Sequence, residues 1–453
     1  MRTRMRTDRS YQETIEYLFA LQKHGVKLGL GNTERLMDIM GNPHRRFRSV
    51  HVAGTNGKGS TAAFLTGMLL AAGYRVGLYT SPHLVSFTER IRINGVPITE
   101  GKVVELARRV REGYEGRAGD SGLPPALNPT FFEVTTALAF TYFAEEAVDI
   151  AVIEVGMGGR LDATNVISPL VSVITNIDLE HTEFLGDTLE LIAGEKAGII
   201  KRNTPVVTGA VQPGVLQVIE REAARKAAPV FLLGREFRAN HIRPGGEQQF
   251  TYRGMRMSLE GLGIVLLGRY QVDNACLALA AAECLHAAGV TITEDAVRKG
   301  LAQSRWEGRL ERVARRPDIY LDGAHNPASA RLLARAVAEL RPAYGRLMLV
   351  VGILGDKDVS GILAELIPLA DRVIVTRPDY ARALDPDALA AKVRSLHPAV
   401  DTAGSVRQAI ERAKSEAKAD DLILITGSLY VVGDARAVLF DDGLPRALPG
   451  LKG

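Results

Sequence analysis

An apolar run at residues 50–53 breaks into G-T-N-G-K-G-S at residues 54–60, and Ala62, Leu65, Leu69 and Leu70 then recur at helical spacing. A strand that stops in a glycine-rich turn and restarts as a helix commits the chain to an α/β layer fold. The turn also has a chemistry. Backbone amides of such a loop, with a helix N-terminus behind them, face an anion. Lys58 bridges phosphate oxygens and Ser60 offers a hydroxyl to Mg²⁺. Thr55, Asn56, Gly57 and Gly59 complete the cradle. Its spacing departs from G-x-x-x-x-G-K-[ST], because Gly59 separates Lys58 from Ser60.

The same logic repeats downstream. Residues 74–80 read as a second strand ending in T-S-P-H-L, and Pro82 keeps that segment extended. Residues 148–155 form a continuous apolar run, as a doubly covered parallel strand requires, and further strands are expected at 171–176 and 205–208. Helices are expected over much of 10–40, with Asn32 or Thr33 as a cap, and from T-F-F-E at 130–133 to Phe143. Residues 112–130 are rich in Gly and Pro and read as a mobile loop. The stretch 232–270 alternates polar and apolar residues and reads as a small antiparallel excursion.

The pattern breaks at S-R-W-E-G-R, residues 304–309, and a second set of strands is expected at 319–321, 347–351, 372–376 and 422–426. With 453 residues, too many for one core, this predicts two units. They are a mostly parallel P-loop domain over 1–303 and a smaller Rossmann-like α/β domain over 304–453. V-G-I-L-G-D-K-D at 351–358 lacks G-x-G-x-x-G, which argues against nicotinamide binding.

Composition narrows the function classes. A net charge of +4 is small for this length and gives no argument for nucleic acid, while a mild basic excess suits an anionic substrate. No segment approaches 18 consecutive apolar residues, so no membrane span is expected. Cys276 and Cys284, the only cysteines, lie in an expected alanine-rich helix as buried small side chains, which suits a cytoplasmic chain.

Polar residues punctuate the ends of the apolar runs. Ser81, Glu154 and His181 bring a hydroxyl, a carboxylate and an imidazole to the edge that carries the phosphate loop, where a divalent cation would bridge phosphates. Lys196 sits in G-E-K-A-G-I, which by itself reads as a solvated helix lysine. L-D-G-A-H-N-P at 321–327 places Asp322, His325 and Asn326 before Pro327, a first helical residue. With Arg309 and Asn274, this edge would hold a nucleotide from the opposite side.

Taken in order, H-V-A-G-T-N-G-K-G-S, T-S-P-H-L, E-V-G-M-G-G-R-L-D-A-T-N, E-K-A-G-I and D-G-A-H-N-P resemble folylpolyglutamate synthases, including the bifunctional dihydrofolate synthase form, of the Mur ligase superfamily. The resemblance runs from about Lys27 to Gly433. It implies a ligase that spends ATP to phosphorylate a substrate carboxylate, which the amino group of L-glutamate then attacks. It implies ATP contacts at Thr55–Ser60, Asn274, Arg309 and Asp322, and two Mg²⁺ ions held by Ser60, Ser81, Glu154, His181 and a carbamylated Lys196. It puts Lys58, Lys196 and His325 at the reacting groups. It implies a folate or dihydropteroate pocket from Val26, Lys27, Leu28, Thr130, Phe131, Phe132, Glu133, Leu161, Asp162 and Ala163, with Phe131 and Phe132 as flat partners for the ring. Dihydropteroate-using relatives can carry an acidic residue where Lys27 stands here, so polyglutamylation of reduced folate is the firmer expectation. A peptidoglycan Mur ligase acting on a UDP-sugar peptide is the rival, and only 53 residues precede Gly54 to supply its extra domain. The expected partners are small molecules, with no nucleic acid or membrane, and a monomer is expected.

Overall fold

The computed structural model describes residues 2–25, 29–115, 127–243 and 245–440. Its strands in chain order are β1 (Arg48–Ala53), β2 (Val76–Tyr79), β3 (Ile91–Ile93), β4 (Val96–Pro97), β5 (Ile150–Glu154), β6 (Val171–Ile174), β7 (Val206–Thr208) and β8 (Val230–Leu232). They form one sheet in the order β4-β3-β2-β5-β1-β6-β7-β8. The pairings from β2 through β5, β1, β6 and β7 to β8 are parallel, and the β2–β3 and β3–β4 pairings at the edge are antiparallel. The central strands β1, β5 and β6 are almost wholly buried, as helices on both faces demand. Two apolar clusters flank this sheet. One gathers the helices Lys58–Ala71 and Arg269–Ala287, with both cysteines buried and free. The other gathers Phe131–Glu145 with the N-terminal helices.

The expected antiparallel excursion is the three-stranded sheet β9 (Arg238–Arg243), β10 (Gln248–Arg253) and β11 (Ser258–Ile264). A third sheet uses β12 (Glu311–Ala314), β13 (Asp318–Leu321), β14 (Leu347–Val351), β15 (Arg372–Val375), β16 (Val400–Thr402) and β17 (Leu422–Thr426). Its order is β12-β13-β17-β14-β15-β16, parallel except for the β12 edge.

Some local expectations change. The helix Gly31–Ile39 begins after Leu30 with no side-chain cap, so neither Asn32 nor Thr33 caps it. Asn32 instead donates to Glu133 (3.2 Å). The Gly/Pro-rich stretch lies mostly outside the described residues, as do Val26, Lys27 and Leu28. Among the described residues no helix is long and apolar enough to cross a membrane.

Candidate active site

All the central strands of the first sheet point their C-terminal ends to one edge, and the phosphate loop leaves β1 there. The loop is pinned by the segment after β6. Thr55 N donates to Asn176 O (2.9 Å), Asn56 N to Asn176 Oδ1 (2.8 Å), and Thr175 Oγ1 to Asn56 O (2.6 Å). Thr55 Oγ1 accepts from Asp178 N at 3.0 Å. Gly54 adopts φ +140°, and a Cβ there would lie 1.8 Å from Thr175 Oγ1, so neither the torsion nor the space admits a side chain. At Gly57, φ +85°, a Cβ would lie 2.4 Å from Asn274 Oδ1. Asn274 is thereby placed against the loop. Its Nδ2 donates to Gln271 Oε1 (3.0 Å), while Gln271 Nε2 is buried without a hydrogen-bond partner.

Two lysines converge on one carbonyl. Lys58 Nζ donates to Gly54 O and Thr55 O, each at 2.9 Å. Lys196 Nζ, on the helix Leu189–Ala197, donates to the same Gly54 O at 2.8 Å. Lys196 is 2% exposed, so its reading as a solvated lysine is overturned. Burial, with the Lys58 charge beside it, pushes its ammonium down to about 7.

Two carboxylates face them, Glu154 buried and Glu180 largely so. Glu154, the last residue of β5, accepts from Ser81 N at 3.2 Å, and burial raises its pKa despite Lys58. Glu180 was not singled out by sequence. Burial would raise its pKa, but His325, Lys58 and Lys196 hold it well below the ordinary carboxylate range. His181 adopts φ 50° and caps the short helix Thr182–Leu185 with its ring partly exposed. The third sheet brings His325 opposite: Nδ1–H donates to Gly323 O (2.8 Å), and Nε2 lies 3.5 Å from Glu180 Oε1. Asn56 and Asn326 form a reciprocal amide pair across the same gap (3.4 and 3.2 Å). Asp322 is buried and accepts from Leu310 N and Ala324 N, both at 2.8 Å, which fixes the turn around Arg309.

Among the described residues no three or more His, Cys, Asp or Glu side chains converge as a metal-ligating set. The oxygen-bearing Ser60, Ser81 and Glu154 nonetheless suit Mg²⁺, which keeps waters and takes phosphate oxygens for the rest of its shell. On the other flank, Thr130 and Glu133 spend their polar atoms on a reciprocal capping box that starts the helix Phe131–Glu145. Phe131 is buried, stacked on Phe19 at 5.1 Å and covered by Arg90, 5.1 Å from its ring centroid. It therefore serves as wall, and the half-buried Phe132, stacked on Tyr79 at 5.9 Å, is the more accessible ring. Asp162 is buried in the turn beside Leu161 and Ala163, accepting from Met157 N and Thr164 N (both 2.9 Å). Arg90, which donates to His83 (2.8 Å), and Trp306 were missed as well. The T-S-P-H-L motif was the available signal for the first.

Residues 52–282 match the Mur ligase middle domain and residues 308–429 the glutamate ligase domain of Mur ligases. The chain is 40% identical over 434 residues to a dihydrofolate synthase/folylpolyglutamate synthase of Bacillus subtilis, covering 94% of this chain and 98% of that one. It belongs to this family of Mur ligases. A Mycobacterium tuberculosis dihydrofolate synthase/folylpolyglutamate synthase is 41% identical over 444 residues, covering 90% of this chain and 89% of that one. Among solved structures, M. tuberculosis folylpolyglutamate synthase complexed with ADP superposes with a TM-score of 0.88 at 38% identity, over 96% of this chain and 100% of that one. Escherichia coli FolC in complex with DHPP and ADP gives 0.85 at 32% identity, over 95% and 98%. As a member of the family the chain is an enzyme, and its α/β architecture is the family's.

Proposed function

We propose that this protein is an ATP-dependent ligase that joins L-glutamate to the carboxylate of a folate, releasing ADP and phosphate. The observation that carries the reading is the convergence of Lys58 and Lys196 on Gly54 O in the phosphate loop, with buried Glu154 and largely buried Glu180 around them and His325 approaching from the opposite sheet. Family membership and the ADP complexes of relatives support it.

Two anions must meet in this reaction, and their repulsion is the main obstacle. Thr55, Asn56, Gly57, Gly59 and Ser60 present the loop to the triphosphate. Lys58 exchanges its two backbone carbonyls for phosphate oxygens and offsets charge building on the transferred group. Asn274, Arg309 and Asp322 hold the nucleotide's other end. Ser60, Ser81, Glu154, His181 and Lys196 would hold Mg²⁺, which supplies charge neutralisation when bound. Lys196 joins them as a carbamate: its amine, whose ammonium burial pushes down to about 7, adds to CO₂ in its neutral form and releases a proton, turning a cation into an oxygen ligand. His325 sits where the carboxyl phosphate is attacked and stays oriented by Gly323 O.

Residues 1–303 form the nucleotide and folate unit and 304–453 the glutamate unit, so closure between them keeps water from the acyl phosphate. Phe132, Leu161, Asp162 and Ala163, with Val26, Lys27 and Leu28, take the pterin end, while Thr130, Phe131 and Glu133 brace it. The test is phosphate release from ATP with Mg²⁺ and L-glutamate, comparing tetrahydrofolate with dihydropteroate as acceptor. Release that needs both glutamate and a pterin substrate is expected. Release indifferent to both would overturn the assignment.

A further inference from the structure

The phosphate loop departs from the common spacing by one extra glycine, and the structure gives that glycine a neighbour. Gly59 has no positive φ, so torsion does not demand glycine there; space does. A Cβ at residue 59 would lie 2.7 Å from Trp306 Nε1 and 3.0 Å from Cε2 and Cζ2 of the same indole. Contacts that short are not tolerated between a methyl group and a ring. Trp306 belongs to the S-R-W-E-G-R segment joining the first sheet's helices to β12, and it is the chain's only tryptophan.

The segment lies along the helix Lys58–Ala71 before it reaches the loop. Ser304 Oγ donates to Gly300 O (2.7 Å) and approaches Ala63 O (3.4 Å), and a Cβ on Gly67 would lie 2.4 Å from Ser304 Oγ. Residues 59, 63 and 67 are spaced four apart, so they share one helix face. Arg92 lies over the ring. Its guanidinium lies 5.6 Å from the indole centroid and 3.5 Å from Glu307. Three residues beyond Trp306, Arg309 Nη1 lies 2.5 Å from where a Cβ on Gly323 would stand, in the D-G-A-H-N-P turn.

We propose that Trp306 is a positioning residue for nucleotide binding. Its indole edge sets the backbone at Gly59, between Lys58 and Ser60, and so ties the aim of those two side chains to the segment that carries Arg309. The two halves of the nucleotide site are thereby registered to one another by a single ring. This rests on reading the loop as the phosphate site, and the experiment keeps the two claims apart.

Binding of a non-hydrolysable ATP analogue with Mg²⁺ is measured by calorimetry for the full chain, Gly59→Ala, Trp306→Leu and the double variant, with Lys58→Ala beside them. Gly59→Ala weakens analogue binding about tenfold or more through overpacking. Trp306→Leu weakens it comparably by removing the buttress. In the Trp306→Leu background the added cost of Gly59→Ala falls below about twofold, because the clash is gone. Trp306→Phe, which keeps a ring on the loop, retains most of the affinity, and the KM for tetrahydrofolate moves far less than that for ATP. If Trp306→Leu does not fold, Trp306→Met, which also takes the ring off Gly59, supplies the background for the cycle. Additive losses in the cycle, or a Trp306→Leu variant that leaves analogue affinity intact, would overturn the proposal. Retained binding in Lys58→Ala would instead sink the phosphate-loop reading beneath it.

Discussion

His51 lies in β1, three residues before the phosphate loop, and it has no exposed surface. Its Nε2 is 2.8 Å from Thr164 Oγ1, which in turn donates to Asp162 Oδ1 (2.5 Å), so the ring nitrogen is the donor of the first bond. Its Nδ1 is buried without a partner. A second proton would have to sit on that nitrogen, away from water. Burial first, and then the Lys201 charge, push the imidazolium down from 6.5 to about 3. The sign follows from linkage. The unfolded chain takes up a proton at His51 as pH falls through 6.5, whereas the folded chain stays neutral there until about 3. Unfolding therefore binds one extra proton in that window, and stability falls by about 1.4 kcal/mol per pH unit. Between pH 7 and pH 5 this residue accounts for ~2 kcal/mol of lost stability. His51→Gln keeps a donor toward Thr164 and removes the titration. Its urea midpoint at pH 7 should fall below that of the parent through lost packing, and the gap should close by ~2 kcal/mol on going to pH 5. Other groups titrate in both proteins and drop out of the difference. A gap that stays constant over this range would show that His51 is protonated in the fold, and the argument from burial would fail.

Lys58→Ala removes the loop's cation and should lower kcat/KM for ATP by about 10²–10³-fold, the scale seen when one preorganised donor is lost; turnover near the parental rate would refute its role. Lys196→Ala should lose activity to a similar extent and regain part of it with added formate or acetate. Intact mass of the parent protein in bicarbonate should show one added CO₂ that the variant lacks, and absence of that adduct would refute the carbamate. Asp322→Ala leaves the amides of Leu310 and Ala324 without their acceptor and frees the turn at Arg309. It should weaken ADP affinity by calorimetry, at a cost of about 1.5–3 kcal/mol for the lost charged hydrogen bonds, and unchanged affinity would place the nucleotide elsewhere. Removing Mg²⁺ with EDTA should abolish glutamate-dependent phosphate release, and full activity after chelation would exclude the proposed metal role.

What was legible in the chain was whatever follows from periodicity and from strand ends. A short continuous apolar run among helical stretches suits a covered strand, and Glu154 at its end emerges at the sheet edge that holds the glycine loop. The short β3–β4 edge escaped because strands of three and two residues leave no period to read. Lys196 shows the complementary failure. A lysine on a helix is solvated by default, and what buries this one is the packing of its helix against the loop at Gly54, 142 residues away in the chain.

The same limit explains Glu180. In I-D-L-E-H the imidazole draws attention, yet His181 takes a left-handed conformation, φ 50°, and its ring is left 36% exposed, whereas the Glu180 side chain is 9% exposed. Both side chains feel Lys58 and Lys196, but Glu180 is the one that also reaches His325. A buried carboxylate among three basic groups is what a site for two anionic substrates needs before they arrive. It balances the cations that would otherwise repel one another in the free protein. Once phosphate takes over Lys58 and Lys196 has become a carbamate, His325, 3.5 Å away, is the partner left to Glu180. The pair then becomes the natural place for a proton to be held during attack by the glutamate amine, and Glu180→Gln should lower kcat more than it changes the KM for ATP. An effect confined to the KM for ATP would leave Glu180 as a counter-charge to the loop and nothing more.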